Sequence, residues 1–527
     1  MTRSRTVLAA AIAAIMLTGA CSSTISGHGT AATGARSPSA ASSAPSTATP
    51  SLPAQPPADF TDCRSAFRLD AVPFPAGRAD RLSFACATIS VPLDYSDRGG
   101  RTISLQLVKI HDSHNTANTG KLLVNPGGPG VSGVELSVSL AAQLSDTVMS
   151  HFDLIGFDPR GVGLSSPIRC LSDQQKDDLN AASPDVLTTA GFAAAKQAAR
   201  SVADACNAKY GASLAQYDTV QTARDMDRIR QAVGDSRMNY LGFSYGTELG
   251  SVYAHLFPGT IRVAVLDGAV DPLTDDITSF ADQLQGFESS FDQFAQWCDQ
   301  HDPCRSLGNP RQAVYDIAKK ATTAPLRSSK SGETRTATSA IVYTGVLYAL
   351  YSKSLWSQLG SALIAAGKGD SAGLFTLADG YNERFDGHYT NVAEANTTIN
   401  CNDSKPGPTD DQIRTTARSW ITRFPMFGLW SAPSLFSCQQ WQPARSPVPL
   451  PTAPTPQKVL VIGNLHDPAT PYQGAKDLAR TMGNAELLTW DGEGHTSYLQ
   501  GSSCIDKYVD AYLVSITLPP TGTTCPR

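Results

Sequence analysis

A serine, an aspartate and a histidine stand in this chain where they could act as one nucleophilic unit. Ser244 lies in Gly242-Phe243-Ser244-Tyr245-Gly246, a G-x-S-x-G sequence. A serine hydroxyl is a poor nucleophile until an imidazole accepts its proton, and the imidazole needs an acid to set its tautomer. The chain holds 9 histidines, of which His495 is the best placed, in Gly492-Glu493-Gly494-His495 just after a short apolar run at 486–490. The run before that, 458–463, leads into Asn464-Leu465-His466-Asp467-Pro468 and offers Asp467 as the acid. Asp267 ends an earlier run and stays open as a rival acid. His466 precedes the acid by one residue, which turns its side chain elsewhere. Asp491 stands too close to His495 along the chain to be a natural partner.

The elements around these residues select among matches. The run Met238–Phe243 leads into the serine, and a helix-like stretch, 247–256, follows it before Pro258-Gly259. Strand, sharp turn and helix around G-x-S-x-G make a nucleophile elbow, in which a flanking side chain would crowd the approaching backbone. The turn sets the Tyr245 amide at a helix N-terminus, where it could stabilise an oxyanion. A second match, Gly369-Asp370-Ser371-Ala372-Gly373, follows a helical stretch with no strand leading in, so Ser371 reads as a loop residue. The run 121–125 is followed by Pro126-Gly127-Gly128-Pro129-Gly130. A glycine-rich loop after an early strand supplies the second oxyanion donor, for which Gly128 is the first choice and Gly127 the second. The same loop satisfies G-x-G-x-x-G through Gly128, Gly130 and Gly133, with Asp153 downstream. A dinucleotide reading is set aside, because Pro129 removes an amide from a loop that would bind pyrophosphate through amides. No nucleotide or other cofactor is expected.

Strand runs at 121–125, 152–158, 238–243 and 263–268 alternate with helical stretches, which implies a mostly parallel sheet. The pattern lapses over 273–452, a mainly helical stretch holding Trp297, Trp356, Trp420, Trp430 and Trp441, and strands resume at 458–463 and 486–490 before a closing helix at 505–514. The expectation is an α/β-hydrolase fold, with core segments at 63–272 and 453–527 and a large helical lid between them at 273–452. The lid tryptophans read as core residues.

The chain has 527 residues, 41% of them hydrophobic, and a formal net charge of −5, so nothing points to nucleic acid. Arg3 and Arg5 precede an apolar run at 7–17, too short to span a bilayer but suited to a signal peptide at 1–20. The run ends in Leu17-Thr18-Gly19-Ala20-Cys21, where Cys21 could be lipidated and anchor the chain to a membrane. The stretch 22–57 is almost entirely Ser, Ala, Thr, Pro and Gly, so the segment 21–62 reads as a flexible tether. Of the 11 cysteines, ten remain once Cys21 is set aside, an even number that suggests disulfides. Sequence neighbours close most easily: Cys63–Cys86, Cys170–Cys206, Cys298–Cys304, Cys401–Cys438 and Cys504–Cys525. The absence of any C-x-x-C pair argues against a metal site.

Asn125-Pro126-Gly127-Gly128-Pro129-Gly130, Asp158-Pro159-Arg160-Gly161, the Gly-Phe-Ser-Tyr-Gly elbow and Asp467-Pro468-Ala469-Thr470-Pro471 together resemble secreted bacterial tripeptidyl aminopeptidases, relatives of proline iminopeptidase. The resemblance runs from about residue 60 to the end. It implies a serine exopeptidase acting on peptides or proteins under a capping lid, with hydrolysis of lipid or cell-wall esters as the alternative. A non-catalytic surface lipoprotein is disfavoured by the intact triad and glycine loop. Asp158 and Arg160 read as structural supports of that loop. Ile399-Asn400-Cys401-Asn402-Asp403 resembles a recurrent C-x-D element of the family, and Asp403 could bind a substrate's free α-amino group or be a loop aspartate beside a disulfide.

Overall fold

The computed structural model describes residues 53–97 and 99–527; the signal segment and Cys21 lie outside the described residues. The strands of the main sheet are β1 (Thr61–Asp62), β2 (Leu82–Pro92), β3 (Thr102–Asp112), β4 (Gly120–Asn125), β5 (Phe152–Phe157), β6 (Met238–Phe243), β7 (Ile261–Asp267), β8 (Val459–His466), β9 (Ala485–Glu493) and β10 (Thr524–Cys525). They form one 10-stranded sheet in the order β1-β2-β3-β5-β4-β6-β7-β8-β9-β10. From β5 through β10 every neighbouring pair is parallel, while β1–β2, β2–β3 and β3–β5 are antiparallel. This is the α/β-hydrolase fold.

The strands carrying the site read as continuous apolar runs because both faces of the sheet are covered. Leu122 and Val124 of β4 face one core with Leu241, Val265 and Leu460, packed by helices α1 (Gly133–Gln143) and, at the end of the chain, Ser503–Ser515. Leu123 points the other way, into a second core with Tyr240, Leu266 and Val461, covered by α2 (Thr219–Ala232) and α3 (Tyr245–Leu256). The period of two along each strand thus supplies both layers.

Between β7 and β8 runs a helical insertion that includes α4 (Asp276–Cys298), α5 (Ser339–Leu350), α6 (Ala372–Tyr381) and α7 (Val392–Asp403). It has its own core, built on Phe280, Leu284, Phe287, Phe291 and Phe294 of α4 with Trp356 and Trp420. Two exchanges blur the expected division at 272/273 and 452/453. Val186, Phe192 and Ala195 join the insertion's core, whereas Ile399, Cys401 and Trp441 of the insertion join the core under the sheet. The five expected disulfides are all formed.

Two differences from the sequence reading concern strands. The long antiparallel pair β2–β3, in register from Leu82↔Asp112 to Pro92↔Thr102, was not among the expected strands. Its apolar residues alternate with Ser, Thr, Lys and Gln, so it does not form the continuous runs by which the central strands are recognised. The short strand β10 pairs with β9 beside the Cys504–Cys525 bridge.

Candidate active site

Ser244 sits between the last residue of β6 and the first of α3 with φ 57° and ψ −127°. A positive φ at a non-glycine residue is strained and persists only where the surroundings enforce it. Here the Ser244 amide donates to the Asp267 carbonyl at 2.8 Å and the Thr247 amide and hydroxyl both donate back to the Ser244 carbonyl, at 2.8 and 2.6 Å. The flanking glycines are required by contact. A Cβ on Gly242 would lie 2.4 Å from the Gly246 carbonyl oxygen, and one on Gly246 would lie 2.9 Å from the Asn125 carbonyl oxygen. The Ser244 hydroxyl is buried and, among the described residues, has no hydrogen-bond partner; Ser244 is 4% exposed and His495 6%.

The acid turn brings Asp467 to His495. His495 Nδ1 lies 2.9 Å from both Asp467 oxygens. The carboxylate is held by donors on every side: the amides of Ala469 (2.9 Å) and Thr470 (2.8 Å) on Oδ1, and the Thr470 hydroxyl (3.1 Å) and Thr496 amide (2.9 Å) on Oδ2. Such a charge-assisted set keeps the carboxylate a fixed acceptor, so His495 Nδ1 carries its proton toward it and Nε2 is left as the basic nitrogen. The Thr470 hydroxyl is also 3.3 Å from His495 Nδ1.

Asp267, the rival acid, lies one strand over, with β7 pairing β8 at Ile462↔Asp267. It turns away from the imidazole and accepts from the amides of Ser497 (3.0 and 3.1 Å) and Tyr498 (2.8 Å). It therefore holds the loop that follows His495, and burial, reinforced by the charge on Asp467, pushes its carboxyl up to about 6. Asp491 pairs with His466 at 3.2 Å, away from His495. Ser371 stands just before α6 without capping it, its hydroxyl donating instead to the Leu326 and Arg327 carbonyls at 3.2 and 2.9 Å.

Gly127 lies against the elbow: a Cβ there would meet Ser244 Cβ and the Tyr245 nitrogen, each at 2.9 Å, and its φ is +95°. Its amide donates to the Asn125 side chain at 2.9 Å. A Cβ on the next residue, Gly128, would instead have the Gly130 and Val131 nitrogens and a Val131 methyl as its nearest neighbours, at 2.9, 3.1 and 3.2 Å, with φ +110°. Asp158 supports the loop from below, accepting from the Ser132 hydroxyl at 2.6 Å and the Leu164 amide at 2.9 Å. Arg160 is fully buried and forms a fork onto Asp225, with both contacts at 2.7 Å. Asp158 thus holds the segment that follows the glycine loop, whereas Arg160, expected to support that loop too, ties Asp225 to the Leu93 and Gln216 carbonyls instead.

The insertion closes over the histidine. The Tyr351 carbonyl accepts from the His495 amide at 2.8 Å, and the Tyr351 ring stands edge-on to the imidazole at 5.6 Å. Sequence reasoning missed Tyr351, whose run Tyr348–Tyr351 looks like any buried helix end. Asn464 was also missed; its side chain donates to the Gly494 carbonyl at 2.6 Å and accepts from the Gly492 amide at 3.2 Å, tying the acid turn to the histidine loop. Asp403 is 6% exposed, and both its oxygens are engaged by Thr219, whose amide lies at 2.9 Å and whose hydroxyl lies at 2.6 Å. These surroundings anchor the side chain in the protein and do not present it at a surface. Among the described residues no group of three or more His, Cys, Asp or Glu could hold a metal ion.

Comparison with known proteins places the chain among serine hydrolases. The profile of TAP-like proteins matches residues 424–525, which span β8, the acid turn and the histidine loop. Serine protease Hip1 of Mycobacterium tuberculosis is 36% identical over 485 residues, covering 89% of this chain and 91% of that one. Carboxylesterase B of the same organism is 36% identical over 463 residues, covering 86% and 88%. The tripeptidyl aminopeptidase of Streptomyces lividans is 31% identical over 452 residues, covering 84% and 83%.

Proposed function

The chain belongs to the serine hydrolase family of Hip1 and the Streptomyces tripeptidyl aminopeptidases, and from that premise we propose that it is an exported aminopeptidase, releasing short peptides from free N-termini through an acyl-enzyme on Ser244. In this reading Ser244 Oγ attacks the scissile carbonyl while His495 Nε2 takes its proton. Asp467 keeps the imidazole in the required tautomer and offsets its positive charge. The Tyr245 and Gly128 amides bind the developing oxyanion. His495 then returns the proton to the leaving amine, and water, activated by the same nitrogen, releases the acylated fragment. The missing Ser244–His495 contact is no obstacle, since such bonds often tighten only when substrate is bound. No metal, nucleotide or nucleic acid enters this scheme; the partners are peptide or protein substrates.

The observation that carries the exopeptidase reading is the enclosure of the site. Ser244 and His495 are 4% and 6% exposed, and the insertion reaches the His495 amide through Tyr351. A covered site of this kind admits a chain end more readily than a folded loop. The end of a peptide carries an ammonium group whose burial requires acceptors. A matched pair of chromogenic peptides, one free and one N-acetylated, tests this. Acetylation should lower kcat/KM by about 10- to 150-fold, the loss of one hydrogen bond to a charged group. Equal cleavage of the two by the unaltered enzyme would rule out the aminopeptidase reading.

A second reading, hydrolysis of lipid or cell-wall esters, is favoured by the similarity to carboxylesterase B. The same triad serves both, and a panel of esters and peptides separates them.

Export and anchoring at Cys21 follow from the sequence of residues 1–21. They are supported by the five disulfides, which persist in oxidising compartments. None of the described helices is long and apolar enough to cross a membrane. Cys21→Ser should leave activity intact and move the protein from the detergent to the aqueous phase. Equal partitioning of the two forms would exclude the anchor.

A further inference from the structure

The Cys401-Asn402-Asp403 end of α7 lies far from Ser244 in sequence but is linked to the residue beside it. Asp403 Oδ1 accepts from the Thr219 amide at 2.9 Å and Oδ2 from the Thr219 hydroxyl at 2.6 Å. The Thr219 hydroxyl in turn bonds the Tyr245 hydroxyl. Burial, reinforced by the charges of Asp218 and Glu248, pushes the Asp403 carboxyl well above the usual carboxylate range. Either hydroxyl can be the donor between Thr219 and Tyr245, so the Thr219 hydroxyl joins Asp403 to Tyr245 whichever way the protons run. All three residues are buried, Thr219 at 0%, Tyr245 at 3% and Asp403 at 6% exposure.

The anchor is itself held. Asn402 Nδ2 donates to the Leu214 and Tyr217 carbonyls at 2.8 and 3.0 Å, and its Oδ1 accepts from Trp441 Nε1 at 2.8 Å. Cys401 is bridged to Cys438, and its carbonyl accepts from Arg445 at 2.8 Å. The end of α7 therefore clamps the whole segment 214–219, and Thr219, first residue of α2, passes that restraint to Tyr245, first residue of α3.

We propose that Asp403 and Thr219 are positioning residues, which fix the tip of the Tyr245 side chain so that its backbone amide stays aimed at the oxyanion. This inference rests on the reading of Tyr245 as an oxyanion donor. A tyrosine held at its hydroxyl and at its Cα has no rotational freedom left, and the peptide on its N-terminal side, which carries the donor, is held with it. Preorganisation of this kind is where an oxyanion hole gains its effect, because the donor does not have to move as charge develops. It gives the insertion a direct mechanical hold on the catalytic elbow, in place of an amine-binding role for Asp403.

The experiment compares Tyr245→Phe, Thr219→Val, Thr219→Ser and Asp403→Asn with the unaltered full-length enzyme. Substrates are a free-amine peptide anilide and a small neutral ester, with a peptide boronate as a tetrahedral adduct. Tyr245→Phe removes one hydroxyl from the relay and leaves Thr219 bonded to Asp403, so it keeps the test valid if Thr219→Val fails to fold. Tyr245→Phe, Thr219→Val and Asp403→Asn should each lower kcat about 10- to 100-fold on both substrates, a part of the ~10²–10³ lost when an oxyanion donor is removed outright. KM should stay within about twofold, boronate binding should weaken in step with kcat, and Thr219→Ser should restore activity. Unchanged kcat in Tyr245→Phe, or a loss that Thr219→Ser does not restore, would overturn the proposal. So would a loss in Asp403→Asn confined to free-amine peptides, which would make Asp403 an amine acceptor. Failure of the aminopeptidase reading shows separately, as equal cleavage of free and acetylated peptides by the unaltered enzyme.

Discussion

Asp467→Asn separates the two aspartates that the sequence left open. The carboxamide is nearly isosteric, but it has one oxygen where the carboxylate has two. Oδ1 now accepts from the Ala469 and Thr470 amides, and Oδ2 from the Thr496 amide and the Thr470 hydroxyl. In either orientation the new NH2 group faces at least one backbone N–H, so a buried donor loses its acceptor at a cost of about 1–3 kcal/mol in stability. The larger effect is on the imidazole. If the amide oxygen is kept for the Ala469 and Thr470 amides, the NH2 group donates toward His495 Nδ1, at 2.9 Å in the native geometry. That selects the tautomer with its proton on Nε2, which cannot accept from Ser244. Loss of the right tautomer in a serine triad costs about 10⁴ in kcat, or roughly 5.4 kcal/mol at 1.36 kcal/mol per tenfold. The assay is kcat on a chromogenic ester at saturating substrate, with thermal unfolding measured in parallel so that the folded fraction is known. Asp267→Asn, which leaves the Asp467–His495 contact in place, should cost far less in kcat and act mainly through the Ser497–Tyr498 loop. A loss of under tenfold in Asp467→Asn, or a larger loss in Asp267→Asn, would refute the assignment of the acid.

Ser244→Ala should abolish labelling by a fluorophosphonate and leave only about 10³–10⁴-fold catalysis over water, while Ser371→Ala, just before α6, should label and turn over normally; label on Ser371 would reverse the assignment. Glu248, in the first turn of α3, has its carboxyl pushed up from near 4.5 to about 7 by burial and by the charge of Asp276. A folded-state value above the unfolded one means that its contribution is full below about pH 4.5 and lost as pH rises through about 7. Glu248→Gln should therefore match the unaltered protein in thermal stability at pH 4 and exceed it at pH 8, and a constant difference across that range would show that the carboxyl titrates normally.

The elements that carry the chemistry were legible because their signals are local. Each central strand is an apolar run that ends at its functional residue, and the glycines around Ser244 are dictated by contacts within a few residues, such as Gly242 against the Gly246 carbonyl. The disulfides were legible for the same reason, since each closes within one region of the chain. The strands β2 and β3 carried a readable period of two, with Ile103, Leu105 and Leu107 buried and polar residues between them, but a search for unbroken apolar runs passes over a half-polar pair. What the tertiary structure alone decided is which side chains face each other at the ends of neighbouring strands. Asp267 and Asp467 both follow apolar strands, and their strands are paired. Only the folded turns direct Asp467 to His495 and Asp267 to the Ser497 and Tyr498 amides. The surroundings of Asp403 depend on a contact with Thr219 across 184 residues, and Tyr351 reaches His495 through a backbone carbonyl that any residue type could supply. A backbone acceptor leaves no mark in sequence, and a long-range hydrogen bond leaves none in local pattern, so both became visible only when the chain had closed on itself.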